Sequence, residues 1–541
     1  VTEKFQLTGA QAIIATLRAY GVETIFGIPG VHTLPLYDVI RGESGLRHIL
    51  ARHEQGAGFM AEGYARASGR PGVVCTITGP GVTNVATPVA SAYADSIPLF
   101  VISSGLPRNS KGRARGELHE LKDQPGVMEA LAGWTRVVEY VEEIPEAIRD
   151  AWRIMRSGRP RGAYLQVPLD LLAESAEVEI PALPETEPPH PPAAAIDDAA
   201  RLLDEARRPL IIAGAGVTFA EANALLAELA ELLQAPVLLG SKSHDVLPTD
   251  NPLVIACGGH IPSELRALIA RCDATLVVGS KLGAERTGDE HLALPTPLIH
   301  VDIDPAEIAR TYPASVGIVS DARLALSALL KALRDLSHAA EHRSAVIEEV
   351  AQVNMALSNR TRRVFGESIA LLEAVREGLP RNGIVVADMT MLGYASEQYF
   401  PVYEPRTYIH PSELCTIGCG LPLALGAKVA APERPVVALC GDGGFLLNTG
   451  ELATAAQERI PVVIVLFNDS AYTAVKSSQR RRFNERYIAT DLLAPDYVAL
   501  AQAFHLNAMR AETPSALRDA IQSALAATAA TLIEVPLPPF S

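Results

Sequence analysis

The sequence predicts an α/β protein of three doubly wound domains, each a parallel sheet with helices on both faces. Short apolar runs recur along all 541 residues, each closing on Gly, Pro or a polar residue and separated from the next by an amphipathic stretch. That is the pattern of strands buried on both faces by crossover helices. The length also exceeds what one hydrophobic core organises, so about three domains is the natural division. Two stretches interrupt the pattern, the proline-rich IPALPETEPPHPP at 180–192 and a charged helical connector at about 340–363. They divide the chain into 1–180, 193–337 and 364–541.

Composition narrows the function. Hydrophobic residues make up 48% and charged residues 20%, the profile of a soluble globular enzyme. A formal charge of −15 argues against nucleic acid or an anionic membrane as partner. No apolar run is long enough to span a bilayer and no leader pattern opens the sequence, so a cytoplasmic protein is expected. The six cysteines form no CxxC pair and most lie in apolar runs, which points to buried thiols rather than a disulfide frame or a zinc site.

In the first domain the runs are ETIFGIPG, GLRHILARHE, GVVCTITGPG, PLFVISSG and RGAYLQVPLD. Ligand chemistry in such sheets collects beyond the carboxyl ends of the strands. The first run ends at Gly30, the third at TGPG with Pro80, and Asn84 follows one turn later. Their glycines let backbone approach a ligand closely, or simply make a tight turn. Glu54 closes the second run beside a helix start, where a helix cap is the plainer reading of a carboxylate. The central domain repeats the pattern in PLIIAGAG, PVLLGSKS, ATLVVGSKL and PLIHVDIDP. Its glycine cluster at 213–216 is not a complete dinucleotide fingerprint.

The last domain carries VVALCGDGGFLLNTGELATAAQERIPVVIVLFNDS at 436–470, which reads as strand, glycine turn, helix and strand. A crossover of that length brings both strand ends to one edge, so Asp442 and Asp469 are expected to be neighbours. Two carboxylates beside Gly441, Gly443 and Gly444 and a helix start suit a hard divalent cation and the phosphates it neutralises. Three arginines, 480–482, follow and read first as a solvated face.

Taken together, RHEQGAGFMAEGYARASGRPGV, TGPGVTN, AYADSIP and the GDGG…ND pair resemble the thiamine-diphosphate-dependent, acetolactate-synthase-like enzymes. Within them RHEQGAGFMAEGYAR, LHE and DQ look nearest to 5-guanidino-2-oxopentanoate (2-ketoarginine) decarboxylases. The resemblance covers essentially the whole chain and implies a pyrimidine-binding, a central and a diphosphate-binding domain. It implies that Glu54 hydrogen-bonds N1′ of the aminopyrimidine, favouring the imino tautomer that takes the proton from thiazolium C2. Gly30 would border the reaction centre, and Pro80 and Asn84 the pyrimidine. His119 stands where acetolactate synthases carry Gln and would relay protons. HPSELCTIGCGLPLALGAKVAA is similar to the family's stretch beneath the cofactor, which makes Ile417 the prop between the two rings and turns the carbonyl of Cys415 toward the 4′-amino group. Asp442, Asp469 and the carbonyl of Ala471 would hold Mg2+, with Asp469 replacing the usual Asn.

The family's flavin pattern is broken at 279–290, GSKLGAERTGDE, so FAD is not expected. The resemblance further implies a homodimer or a dimer of dimers with active sites at the subunit interface. The implied reaction is non-oxidative decarboxylation of a 2-oxo acid through an enamine, with 5-guanidino-2-oxopentanoate a candidate substrate. Glu117, Glu120, Asp388 and Glu413 are candidate partners for its guanidinium, and Lys476 or one of Arg480, Arg481 and Arg482 for its carboxylate. An acetolactate-synthase-like carboligase or an aldehyde lyase is the alternative within the class. A non-catalytic, nucleotide-binding regulatory subunit is the alternative outside it, and would have lost Glu54 or the metal ligands.

Overall fold

The computed structural model describes residues 4–258, 261–287, 292–336 and 346–538. Residues 288–290 of the broken flavin pattern and 340–345 of the charged connector lie outside these. Three six-stranded parallel sheets form the α/β architecture. Among the described residues no helix is long and apolar enough to cross a membrane.

The strands of the first third are β1 (Lys4–Thr8), β2 (Thr24–Gly27), β3 (Arg47–Leu50), β4 (Gly72–Thr76), β5 (Leu99–Gly105), β6 (Trp134–Val137), β7 (Ala163–Pro168) and β8 (Ser175–Glu179). β1 and β8 pair antiparallel, and the other six run parallel in the order β3-β2-β4-β5-β7-β6. Every residue of β4 and β5 is buried, as expected of strands covered on both faces. The helix Glu143–Arg156 covers one face with Ile144, Ala147, Ile148, Ala151 and Met155, and its Trp152 meets Phe100 edge to face at 5.7 Å. The chain reverses direction across the sheet between β2 and β4. That switch point is where an open α/β sheet leaves a crevice for ligands, and the FGIPG and TGPG turns flank it.

The central strands are β9 (Pro209–Ala213), β10 (Val237–Leu239), β11 (Val254–Ala256), β12 (Ala274–Val278), β13 (Leu298–Asp302) and β14 (Val316–Val319), in the order β11-β10-β9-β12-β13-β14. At their switch point Gly214 and Gly216 meet the backbone of Gly279; a Cβ on Gly214 would lie 2.0 Å from the Gly279 carbonyl oxygen. The glycine cluster is therefore used for contact between backbone segments. The last strands are β15 (Ile384–Ala387), β16 (Tyr408–Ile409), β17 (Val436–Gly441), β18 (Val463–Asn468), β19 (Asn507–Arg510) and β20 (Thr531–Pro536), in the order β16-β15-β17-β18-β20-β19.

Contacts group the chain into two compact units, residues 1–187 with 413–511 and 523–541, and residues 188–412 with 512–522. In the first, the helix Glu54–Ser68 crosses the helix Gly420–Ala430 at backbone distance. A Cβ on Gly63 would lie 2.1 Å from the Leu423 carbonyl oxygen, and one on Gly426 1.8 Å from that of Met60. In the second, a buried His410–Glu397 pair at 2.8 Å is joined by a hydrogen bond from the Ser241 hydroxyl to Glu397. Four of the cysteines are buried, Cys272 is partly so, and Cys415 is exposed; none of the six is in a disulfide.

Candidate active site

Glu54 is the first residue of the helix Glu54–Ser68 and its side chain is nearly buried. The helix starts there because His53 adopts extended backbone and its Nδ1 accepts the Gln55 amide at 3.1 Å, capping the turn. The Asn84 amide donates to Glu54 Oε2 at 2.9 Å, and a Cβ on Gly81 would come within 3.4 Å of Oε1. Glu54, Asn84 and the Pro80–Asn84 helix thus meet beyond the ends of β3 and β4.

The TGPG turn is fixed from below by Gln124. Its Oε1 accepts the Thr78 hydroxyl at 2.5 Å and the Gly79 amide at 2.8 Å, while Nε2 donates to the Ser104 carbonyl at 3.0 Å and to Gln166 Oε1 at 2.9 Å. Gly79 has φ +71°, and a Cβ there would strike the His119 carbonyl oxygen at 2.4 Å, so glycine is required for conformation and for space. His119 Nδ1 lies 3.2 Å from the Thr78 carbonyl. A carbonyl can only accept, so Nδ1 carries a proton and this contact leaves Nε2 for another partner. Gly30, at the end of the first turn, sits against Ile77, and its amide donates to Thr33 Oγ1 at 3.0 Å.

His32 follows two residues later and was not visible as a site residue from sequence. Its ring meets that of His119 edge to face at 5.4 Å, and its Nδ1 is buried without a hydrogen-bond partner. Burial, and then the neighbouring His119, lower its affinity for a proton. The signal available in the sequence was the spacing GVHT after FGIPG, which a reading centred on glycines passes over.

At the other end, β17 delivers Asp442 to the start of a short helix, Asp442–Phe445. Its side chain is buried; Oδ1 accepts the Gly443 amide at 2.9 Å, and Oδ2 has no hydrogen-bond partner. Burial and then the nearby Asp469 push the Asp442 carboxyl up to about 6. Asp469, beyond the end of β18, accepts the Thr473 hydroxyl at 2.6 Å and is also raised, first by burial. A backbone hydrogen bond from Ala471 to Asp469 opposes that rise. The turn between them holds Ser470 at φ +55°.

Two desolvated carboxylates and an orphaned oxygen form a hard, oxygen-only donor set that a divalent cation would satisfy. Gly443 lies under the Tyr472 ring, with a would-be Cβ 2.5 Å from it. Cys415 has φ +50° and Ile417 is partly exposed; Asn448 ties their loop to the Asp442 segment by donating to the Gly418 carbonyl at 2.7 Å. The helix Thr473–Phe483, with Arg480, Arg481 and Arg482 in its last turn, buries no side chain. Lys476 pairs with Asp491 at 2.5 Å. Among the described residues, Glu54 and Asp442 share no hydrogen bond or ion pair.

The site thus has two parts, a buried carboxylate beyond one doubly wound sheet and a carboxylate pair suited to a divalent cation beyond another. The family descriptions make this specific. The thiamine pyrophosphate enzyme N-terminal TPP binding domain matches residues 7–127, the central domain 196–329 and the C-terminal TPP binding domain 388–535. A "Probable 2-ketoarginine decarboxylase" of Pseudomonas aeruginosa is 38% identical over 536 residues, covering 98% of this chain and 94% of that protein. A "Probable acetolactate synthase large subunit" of Methanocaldococcus jannaschii is 34% identical over 98% and 92%. An acetolactate synthase of Mycobacterium bovis is 33% identical over 96% and 86%. The chain belongs to the thiamine pyrophosphate enzymes, in the acetolactate-synthase-like branch of 2-oxo acid decarboxylases and carboligases.

Proposed function

We propose that this chain decarboxylates a 2-oxo acid and releases an aldehyde, with 5-guanidino-2-oxopentanoate as substrate. The observation that carries the substrate is the 38% identity, over nearly the whole of both chains, to the Pseudomonas protein of that name. His119, with Nδ1 committed to the Thr78 carbonyl and Nε2 left to take up a proton from water and deliver it, supports protonation as the closing step. Thiamine diphosphate supplies the electron sink once bound. The residues supply the rest: Glu54 holds a proton at the pyrimidine edge and is itself oriented by Asn84. Asp442, Asp469 and the Ala471 carbonyl would hold Mg2+, which would neutralise the charge of the diphosphate, beside Gly441, Gly443 and Gly444. Gly30 and Pro80 line the approach to the reacting end, and the loop carrying Cys415 and Ile417 supports the rings.

A cytoplasmic homodimer, or a dimer of dimers, is the working unit. The N-terminal domain (1–180) of one subunit and the C-terminal domain (364–541) of another close each site, and the central domain (193–337) holds no flavin. The guanidinium needs a carboxylate in the pocket, since leaving it unpaired and buried is costly. Glu117 and Glu120 adjoin His119 in the chain. Glu120 already accepts the amides of Gly116 and Glu117, and Glu117 accepts a hydrogen bond from Ser110, so both are held in place.

CO2 release from a panel of 2-oxo acids, including pyruvate, with Mg2+ and with or without thiamine diphosphate, tests the reading. Cofactor-dependent release from the guanidino acid with an aldehyde product is expected. Acetolactate or another 2-hydroxy ketone as product would move the chain to carboligation.

A further inference from the structure

The end of β3 and the helix that carries Glu54 rest on the helix Glu451–Gln457, from the other end of the chain. Glu451 is buried. Its Oε1 accepts the amides of Arg52 and His53, each at 3.1 Å, and its Oε2 accepts the Arg52 amide at 3.3 Å and the Thr454 hydroxyl at 2.6 Å. The same Thr454 hydroxyl oxygen lies 3.2 Å from the Leu50 carbonyl, and Arg52 donates to Gln457 at 2.7 Å. Gly56 completes the seat, because a Cβ there would lie 2.1 Å from Glu451 Oε1.

Local sequence does not account for this arrangement. His53 caps the helix from within, yet the two amides that precede Glu54 find their acceptor in a residue about four hundred positions away in the chain. A carboxylate is well placed against the amide-rich start of a helix, where the peptide dipoles favour negative charge. As the first helical residue, Glu54 takes its Cα position and Cβ direction from those two amides. Burial pushes the Glu451 carboxyl up, and the hydrogen bonds from Thr454, Arg52 and His53 oppose that rise.

We propose that Glu451 is a positioning residue for catalysis, fixing the Arg52–His53 backbone so that Glu54 meets the cofactor in register, with Gly56 kept side-chain-free to admit it. The proposal rests on the role given to Glu54 above. It assigns Glu451 no contact with substrate or cofactor.

Two variants approach the contact from opposite sides. Glu451→Gln keeps the shape and removes the charge, and Gly56→Ala drives a methyl group into the carboxylate while favouring the helix. The first readout is amide hydrogen exchange in the cofactor-free protein, where Arg52 and His53 should exchange faster in both variants. The second is the split of the kinetic constants: kcat should fall by at least about tenfold, as expected of misplacement on the ångström scale, with KM and cofactor affinity little changed. The third is deuterium exchange at C2 of the bound cofactor, measured without substrate, which should slow in parallel. Unchanged amide exchange in Glu451→Gln, or faster amide exchange with kcat and C2 exchange intact, would overturn the proposal. If Glu451→Gln does not fold, Gly56→Ala decides by the same readouts. A wild-type protein that exchanges C2 but consumes no 2-oxo acid would sink the proposed reaction and leave the Glu451 comparison standing.

Discussion

At the carboxyl edge of the N-terminal sheet Glu54 already has Asn84 as a donor, and the neighbouring TGPG turn is held by the Gln124 hub. At the corresponding edge of the C-terminal sheet Asp442 keeps one oxygen buried without a donor and faces a second carboxylate. One edge is pre-organised by protein groups alone, while the other holds two neighbouring carboxylates whose repulsion a cation would relieve. The difference fits the tasks assigned to them: a general acid-base group must be aimed before reaction, whereas a metal site can be completed by its ligand.

The largest expected effect tests the finished edge. Glu54→Gln should lower kcat by about 10²- to 10⁴-fold, the usual weight of a proton-transferring group, while cofactor affinity by titration stays within a few-fold. Equal losses in both would make Glu54 a binding group and erase the contrast. Asp442→Asn should do the reverse, weakening Mg2+-dependent cofactor binding by no less than about 10- to 100-fold, the cost typical of outer-shell metal partners. Mixing Glu54→Gln and Asp442→Asn chains should restore part of the activity if the two edges that meet in a site come from different subunits. Activity no greater than the sum of the separate variants would place both in one chain.

Asn84→Ala sharpens the comparison at smaller scale. It removes one hydrogen bond to a carboxylate, and a loss of about tenfold in kcat is expected. The remaining effect is on stability in chelator, not on turnover. The Asp442 carboxyl is raised to about 6 in the fold, so the folded state binds its proton more tightly than the unfolded chain does. Stability contributed by that proton is complete below the ordinary carboxylate range and is lost as pH rises toward and through about 6. The loss is at most about 3 kcal/mol. Thermal melts across that window should show it in metal-free protein, and Asp442→Asn should flatten it.

The strands were legible because burial on both faces writes itself as unbroken apolar runs, as in VVALC of β17 and LFVI of β5. Asp442, Asp469 and Glu54 were legible as strand-end carboxylates beside glycine turns or a helix start. Gln124, His32 and Glu451 were not. Gln124 matters through six neighbours drawn from β5, β7 and the TGPG turn, and no spacing along the chain encodes that meeting. Glu451 looks like an ordinary residue in the first turn of a helix until the fold lays the end of β3 against it. The trace it leaves is Gly56, a glycine inside a helix start where propensity alone gives no reason for one.

The crossing of the Glu54–Ser68 and Gly420–Ala430 helices also bears on how the protein is made. The carbonyls that Gly63 and Gly426 approach belong to opposite ends of a discontinuous unit, so the N-terminal helix emerges long before its partner is translated. At about 5–20 residues per second the interval is on the order of 20 to 70 seconds. For that time the side of the helix around Gly63 and the Met60 carbonyl lacks the Gly420–Ala430 helix that packs on it.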